Sequence, residues 1–291
     1  VCRHAAWLGP PRPLSSLIGE SEHGLLHQAY APRLQRYGTV NADGFGMGWY
    51  DDGRTEPVRY RRSIPIWADA NLPGLAAVAR SGCLLAAVRS ATIGMPIEES
   101  ATAPFSDGRW LLSHNGRVER DALLPLLSAD VTVPERVPAG GADGEMPAPA
   151  SVPASVPASV PAPAPAAVPA AASWNGAAAP AAGGATPESL CDSAWLAAAV
   201  FARLRAGMPA AEAVARIVTE AARTDPAARL NLLVCGGSEI VATAWGDTLF
   251  THVHEGVLLA SEPLDGRPGW RAVDDRTLVV ASPDGVSVTR I

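Results

Sequence analysis

The chain has 291 residues and a formal net charge of −6, from 23 basic and 29 acidic side chains with no basic block. A nucleic-acid groove needs clustered positive charge, so nucleic acid is not an expected partner. All 23 basic residues are arginine, which removes Schiff-base lysine, P-loop and Ser-Lys chemistry.

The opening CRHAAWLG reads as a first strand. DGFGMGWYDDGRTEPVRYRR reads as a Gly-interrupted strand, an Asp-Gly turn and a return strand. NLPGLAAVARSG has helical spacing, and CLLAAVRSAT is the near-continuous apolar run of a strand buried on both faces. GRWLLSHNG is another strand, and ERDALLPLLSAD a further helix. From about Pro134 to Pro187 the unit ASVP repeats and Ala, Pro and Gly dominate. Pro blocks helix and Ala offers too little area to offset ordering, so residues 134–187 are expected to be a disordered insertion acting as a linker. After it, Pro187 and Glu188 carry the start signals of a helix through PESLCDSAWLAAAVFARLRAG. PAAEAVARIVTEAART is a second helix. LNLLVCGG, EIVATAWG, LFTHVH, GVLLAS, TLVVAS and VSVTRI then switch to strand spacing. The pattern predicts an α+β fold with two stacked antiparallel sheets and helices outside, in one domain over residues 2–291 that contains the insertion.

Cys83, Cys191, Cys235 and Cys2 form no CxxC pair, so neither a disulfide framework nor a metal site is expected. His252 and His254 share one strand face, which is too little for a metal. No charged leader precedes an apolar run and no membrane-length apolar segment exists, so a cytoplasmic protein without membrane contact is expected. Whether it forms a homo-oligomer is not legible.

Cys2 reads either as a small core thiol or as a nucleophile. If residue 1 is removed, Cys2 carries a free α-amine, whose ordinary pKa of about 7.7–8.0 suits a base. Val1 is consistent with a GTG start read as Met and then clipped, so the mature chain is expected to begin at Cys2. Arg89 ends an apolar strand, as a surface residue or as a fork aimed at a carboxylate. Asn115-Gly116 is either a hairpin dipeptide or an oxyanion hole built from a side-chain amide and a backbone N–H. Asp192 falls in a helix first turn, as a dipole partner or as a receptor for an ammonium group. His4 shares the face of Cys2, as a core histidine or a residue that tunes the site.

In this order, VCRHAAWLG, NADGFGMGWY, AVRSATIG, SHNG and CDSAWLAA resemble the class-II (Ntn-type) glutamine amidotransferase family. The resemblance implies the four-layer αββα Ntn-hydrolase sandwich. It implies that Cys2 attacks a γ-glutamyl carboxamide and that Asn115 and Gly116 form the oxyanion hole. Arg89, helped by Thr92, would hold the glutamyl α-carboxylate, and Asp192 the α-ammonium. No metal or organic cofactor is implied. Cys191 and Ala194 depart from the SDSE pattern common around Asp192, and Ser90 and Ile93 from RWATHG around Arg89. CRHAAWLG, NADGFGMGWY and AVRSATIGMP are most similar to the stand-alone amidohydrolases of bacterial ergothioneine biosynthesis. This implies a small-molecule substrate, γ-glutamyl hercynylcysteine sulfoxide, and release of glutamate. The alternative within the family is a glutaminase subunit that delivers ammonia to a separate synthase.

Overall fold

The computed structural model describes residues 2–92, 94–127 and 186–291. The insertion expected over 134–187 therefore lies almost wholly outside the described residues.

The elements, in chain order, begin with β1 (Arg3–Pro13), α1 (Ser15–Ile18) and α2 (Leu25–Tyr30). Next come β2 (Phe45–Trp49), β3 (Val58–Arg62), α3 (Leu72–Val78), β4 (Arg80–Val88), β5 (Phe105–Asp107), β6 (Trp110–Arg117) and α4 (Arg120–Leu123). The second half holds α5 (Asp192–Arg205), α6 (Ala210–Thr224), β7 (Arg229–Cys235), β8 (Ile240–Ala244), β9 (Phe250–Val253) and β10 (Val257–Ala260), then β11 (Arg271–Ala272), β12 (Thr277–Ser282) and β13 (Gly285–Arg290). They form a seven-stranded sheet, β11-β9-β10-β1-β4-β2-β3, and a six-stranded sheet, β13-β12-β8-β7-β6-β5. Every pairing is antiparallel.

Strand alternation sorts the side chains into layers. On β1, Ala6 and Leu8 join a cluster with Leu85, Leu111, Leu233 and Ala242, drawn from both sheets. Ala5 and Trp7, on the opposite face, join Leu17, Leu25 and Ala76 of α1, α2 and α3. Leu112, Leu230, Leu232 and Val234 turn the other way, onto α5 and α6. In α6, Ala210, Ala213, Val214, Ile217, Val218 and Ala221 are buried, the i, i+3, i+4, i+7 stripe of a helix laid on a sheet. This is an αββα sandwich. No helix among the described residues is long and apolar enough to cross a membrane.

One expectation stands and one is corrected. The expected Asp-Gly turn is present at Asp52-Gly53, where Arg54 N donates to Asp51 O at 2.9 Å within a β2–β3 connection of residues 50–57. The helix expected from Pro187 begins at Asp192, after Cys191. Glu188 makes ion pairs with Arg59 at 2.8 Å and Arg61 at 2.9 Å, and accepts a hydrogen bond from Ser106 N. Those charge-assisted bonds hold residues 186–190 against β3 and outweigh the weak helix-start signal.

Candidate active site

The pairing register gathers the chemistry at one end of the sandwich. Arg3 faces Val88 across the β1–β4 ladder, so Cys2 comes to lie beside the end of β4, and Cys2 Sγ is 4.0 Å from Ser90 O. Phe45 also faces Val88, from β2, which brings Asp43 and Gly44 to Arg89. In the second sheet Asn115 faces Asn231, and Arg117 faces Arg229. His4 Nδ1 and Ser113 Oγ, 3.0 Å apart, connect the sheets at this end.

A cleft here is lined by Cys2, Arg89, Thr102, Phe105, His114 and Ser193, among others. Cys2 is half-buried, while Cys83, Cys191 and Cys235 are buried. Burial pushes the Cys191 thiol up to about 11, with Asp192 adding to the shift, and burial also raises the Cys235 thiol. Both are thus disfavoured as thiolates, and the accessible thiol is that of Cys2.

Arg89 is 7% exposed. Its Nη2 donates to Pro96 O at 2.9 Å and its Nη1 to Asp43 O at 3.4 Å. Among the described residues no carboxylate lies within 4 Å of it. Asp192 is 8% exposed and likewise has no cationic partner. Its Oδ2 accepts from Val118 N at 3.1 Å and its Oδ1 from Ser193 N at 2.8 Å. A buried charge normally has a counter-charge. Here one charge of each sign lacks one.

Asn115 is fully buried, donates to Ser261 Oγ at 3.4 Å and leaves its Oδ1 without a partner. Ser261 Oγ also accepts from His4 N at 3.0 Å. Gly116 packs so closely on β7 that a methyl group there would overlap Arg229 O and lie 2.6 Å from His114 Nε2. Close strand approach alone therefore demands glycine. Thr92 is exposed and outside the cleft lining; the threonine that lines the cleft is Thr102, with Oγ1 donating to Glu98 O at 3.0 Å.

Sequence reasoning did not single out His114 and Ser193. His114 Nε2 lies 2.8 Å from Arg229 O and its Nδ1 2.9 Å from Ser193 Oγ. A carbonyl can only accept, so Nε2 carries the proton and Nδ1 accepts from the serine hydroxyl. This ties the first turn of α5 to β6. Arg3 flanks Cys2 in sequence. Fully buried, it lies 3.6 Å from Asp247 Oδ1 and donates to Gln35 Oε1 at 3.2 Å.

Burial, then Arg3 and His114, holds His4 well below 6.5. Burial also lowers His114, against the opposing pull of Asp192 and the Arg229 carbonyl. Both are neutral in the fold near pH 7 and gain protons on unfolding as pH falls below 6.5. Lower pH then favours the unfolded state, which binds more protons, while above 6.5 neither group contributes a slope. Each supplies up to about 1.4 kcal/mol per pH unit. Urea unfolding should give a free energy that declines from pH 6.5 to 5.5, and the decline should be shallower in His114→Gln. An unfolding free energy that stays level to pH 5.5 would contradict this.

The layer order, the sheet topology and the cleft at the start of β1 define a class-II glutamine amidotransferase-type Ntn fold. A glutamine aminotransferase class-II domain protein from Silicibacter pomeroyi superposes with a TM-score of 0.57 at 17% identity, over 100% of this chain and 99% of its own. No protein-family model matches the sequence. The gamma-glutamyl-hercynylcysteine sulfoxide hydrolase of Mycolicibacterium smegmatis is 42% identical over 290 residues, 99% of each chain. The protein of that name from Mycobacterium tuberculosis is 40% identical over 292 residues, covering 100% of this chain and 97% of its own. The chain belongs to the gamma-glutamyl-hercynylcysteine sulfoxide hydrolase family.

Proposed function

We propose that this protein is a thiol-dependent hydrolase that cleaves the γ-glutamyl amide bond of γ-glutamyl hercynylcysteine sulfoxide and releases glutamate, a step of ergothioneine biosynthesis. The observation that carries this reading is the pair of buried, uncompensated charges, Arg89 and Asp192, beside the cleft of the one half-buried cysteine. A glutamyl end brings a carboxylate and an ammonium, and so supplies both missing partners. Desolvated ion pairs of this kind orient the substrate as well as hold it.

In this reading residue 1 is removed and the α-amine of Cys2 is the base. The amine takes the thiol proton, and the sulfur attacks the γ-carbonyl carbon. Asn115 Nδ2 and the Gly116 N–H stabilise the tetrahedral oxyanion, each donor contributing about 2.7–4 kcal/mol at the transition state. The Cys2 ammonium protonates the leaving nitrogen, the C–N bond breaks and a γ-glutamyl thioester remains. Water, deprotonated by the amine, hydrolyses the thioester, and glutamate leaves. His114 and Ser193 hold Asp192 in register with β6 throughout. The reading places the reaction in the cytoplasm, where reducing conditions keep a thiol free.

The test is glutamate release by the purified protein from γ-glutamyl hercynylcysteine sulfoxide and from glutamine. The conjugate is expected to be preferred by at least about 100-fold in kcat/KM, and the active species should have an intact mass that begins at Cys2. Equal turnover of free glutamine would favour a glutaminase instead.

A further inference from the structure

We propose that Arg229 is the receptor for the carboxylate of the leaving amine, and so the residue that makes this enzyme selective for γ-glutamyl conjugates of amino acids over glutamine. The proposal rests on the hydrolase reading above. Arg89 and Asp192 can grip only the glutamyl end, which glutamine shares. A cysteine-derived leaving group differs from ammonia at once, because the carbon attached to the scissile nitrogen bears a carboxylate. Selectivity therefore calls for a cation on the far side of the scissile bond, close to the oxyanion position.

The strand register puts Arg229 beside the Asn115-Gly116 pair. It begins β7, opposite Arg117, one residue from the partner of Gly116. By strand alternation its side chain leaves the same face as that of Asn231, the partner of Asn115. Its backbone is pinned, since its carbonyl accepts from His114 Nε2 at 2.8 Å and Gly116 packs directly against it. Its guanidinium is held but not neutralised. The Cζ atom lies 4.0 Å from the centroid of the Tyr37 ring, and Nε is buried with no hydrogen-bond partner. Among the described residues no carboxylate lies within 4 Å, whereas Arg3 is paired with Asp247 and Arg117 with Glu119. Tyr37 is 51% exposed, on the segment in which neighbouring Gly38 lies against Ser90, the residue that Cys2 also touches. The stacked pair thus joins the start of β7 to the α2–β2 connection, which reaches Ser90 beside Cys2. A planar fork braced on an aromatic ring suits bidentate carboxylate recognition.

The experiment compares two substrates, γ-glutamyl hercynylcysteine sulfoxide and its cysteamine counterpart, which lacks only the carboxylate beside the scissile nitrogen. The wild-type enzyme should prefer the first by about 30- to 100-fold in kcat/KM. Arg229→Gln should shrink that ratio to about threefold or less by raising KM for the carboxylate substrate, and Arg229→Lys should fall between. Tyr37→Leu, at an exposed position, should shrink the same ratio about three- to tenfold, and serves if Arg229→Gln does not fold. A wild-type enzyme that treats both substrates alike overturns the proposal. So do variants that slow both substrates equally. Failure of the wild type to release glutamate from either substrate strikes the hydrolase reading itself, and is told apart in that way.

Discussion

Cys2→Ala should lower glutamate release by about 10⁴-fold or more while leaving the melting temperature within about 2 °C. Removing a covalent nucleophile removes the two-step path itself, and residual catalysis comes only from the oxyanion donors and binding. The effect on folding should be small because Cys2 is half-buried and its one side-chain hydrogen bond is the 4.0 Å contact with Ser90 O. No second thiol can substitute, since Cys83, Cys191 and Cys235 are buried, and burial disfavours the thiolate of the last two. A companion variant that retains any residue ahead of Cys2 tests the other half of the chemistry. Its nitrogen would be an amide without a basic lone pair, and about 10²–10⁴ of general-base catalysis should be lost with the thiol intact. Single-turnover assays with a circular-dichroism check measure both. Retention of more than about 1% activity in folded Cys2→Ala would exclude the thioester route.

Much of this fold is legible in sequence, for a physical reason. β1 and β4 carry runs whose alternate residues enter different cores, such as Ala6 and Leu8 against Ala5 and Trp7. Such runs cannot lie anywhere but the middle of a sheet buried on both faces. Arg89 stands out because a cation that closes such a run needs an explanation, while its assignment to a carboxylate rests on the resemblance of AVRSATIG. The partition of the late strands is not legible. β8 and β9 are consecutive yet belong to different sheets, and β10 pairs with β1 across the length of the chain. Pairings of that separation leave no local trace. Residues whose role depends on distant neighbours were equally hidden. His114 has a partner, Ser193, 79 positions away, and Arg229 looks like any strand-opening arginine until Gly116 and Tyr37 are packed around it. The start of α5 was misread because Pro187 and Glu188 match a helix first turn, while β3 offered Glu188 two guanidinium groups instead.

Arg89→Met should cost about 10³-fold in kcat/KM and yet leave the protein as stable as before, or more so. On the proposed reading, the activity loss combines a bidentate carboxylate contact with the alignment it gives to the scissile carbonyl. The stability gain follows from the protein surroundings of the guanidinium. The guanidinium is buried among carbonyl oxygens with no carboxylate within 4 Å among the described residues, an arrangement that costs desolvation free energy. A methionine of similar length fills the space without that cost. Asp192→Asn should behave differently, because its carboxylate already accepts two hydrogen bonds within the protein, from Val118 N and Ser193 N. An amide keeps one acceptor oxygen and forfeits the favourable charge at the start of α5, so about 1 kcal/mol of stability should go along with the activity. The substrate decides between grip and collapse. On a glutaryl conjugate, which lacks the α-ammonium, Arg89→Met should still be crippled relative to wild type, whereas Asp192→Asn should fall no further than wild type does. Paired losses of equal size on both conjugates would mean that these two charges serve the scaffold and do not read the glutamyl end.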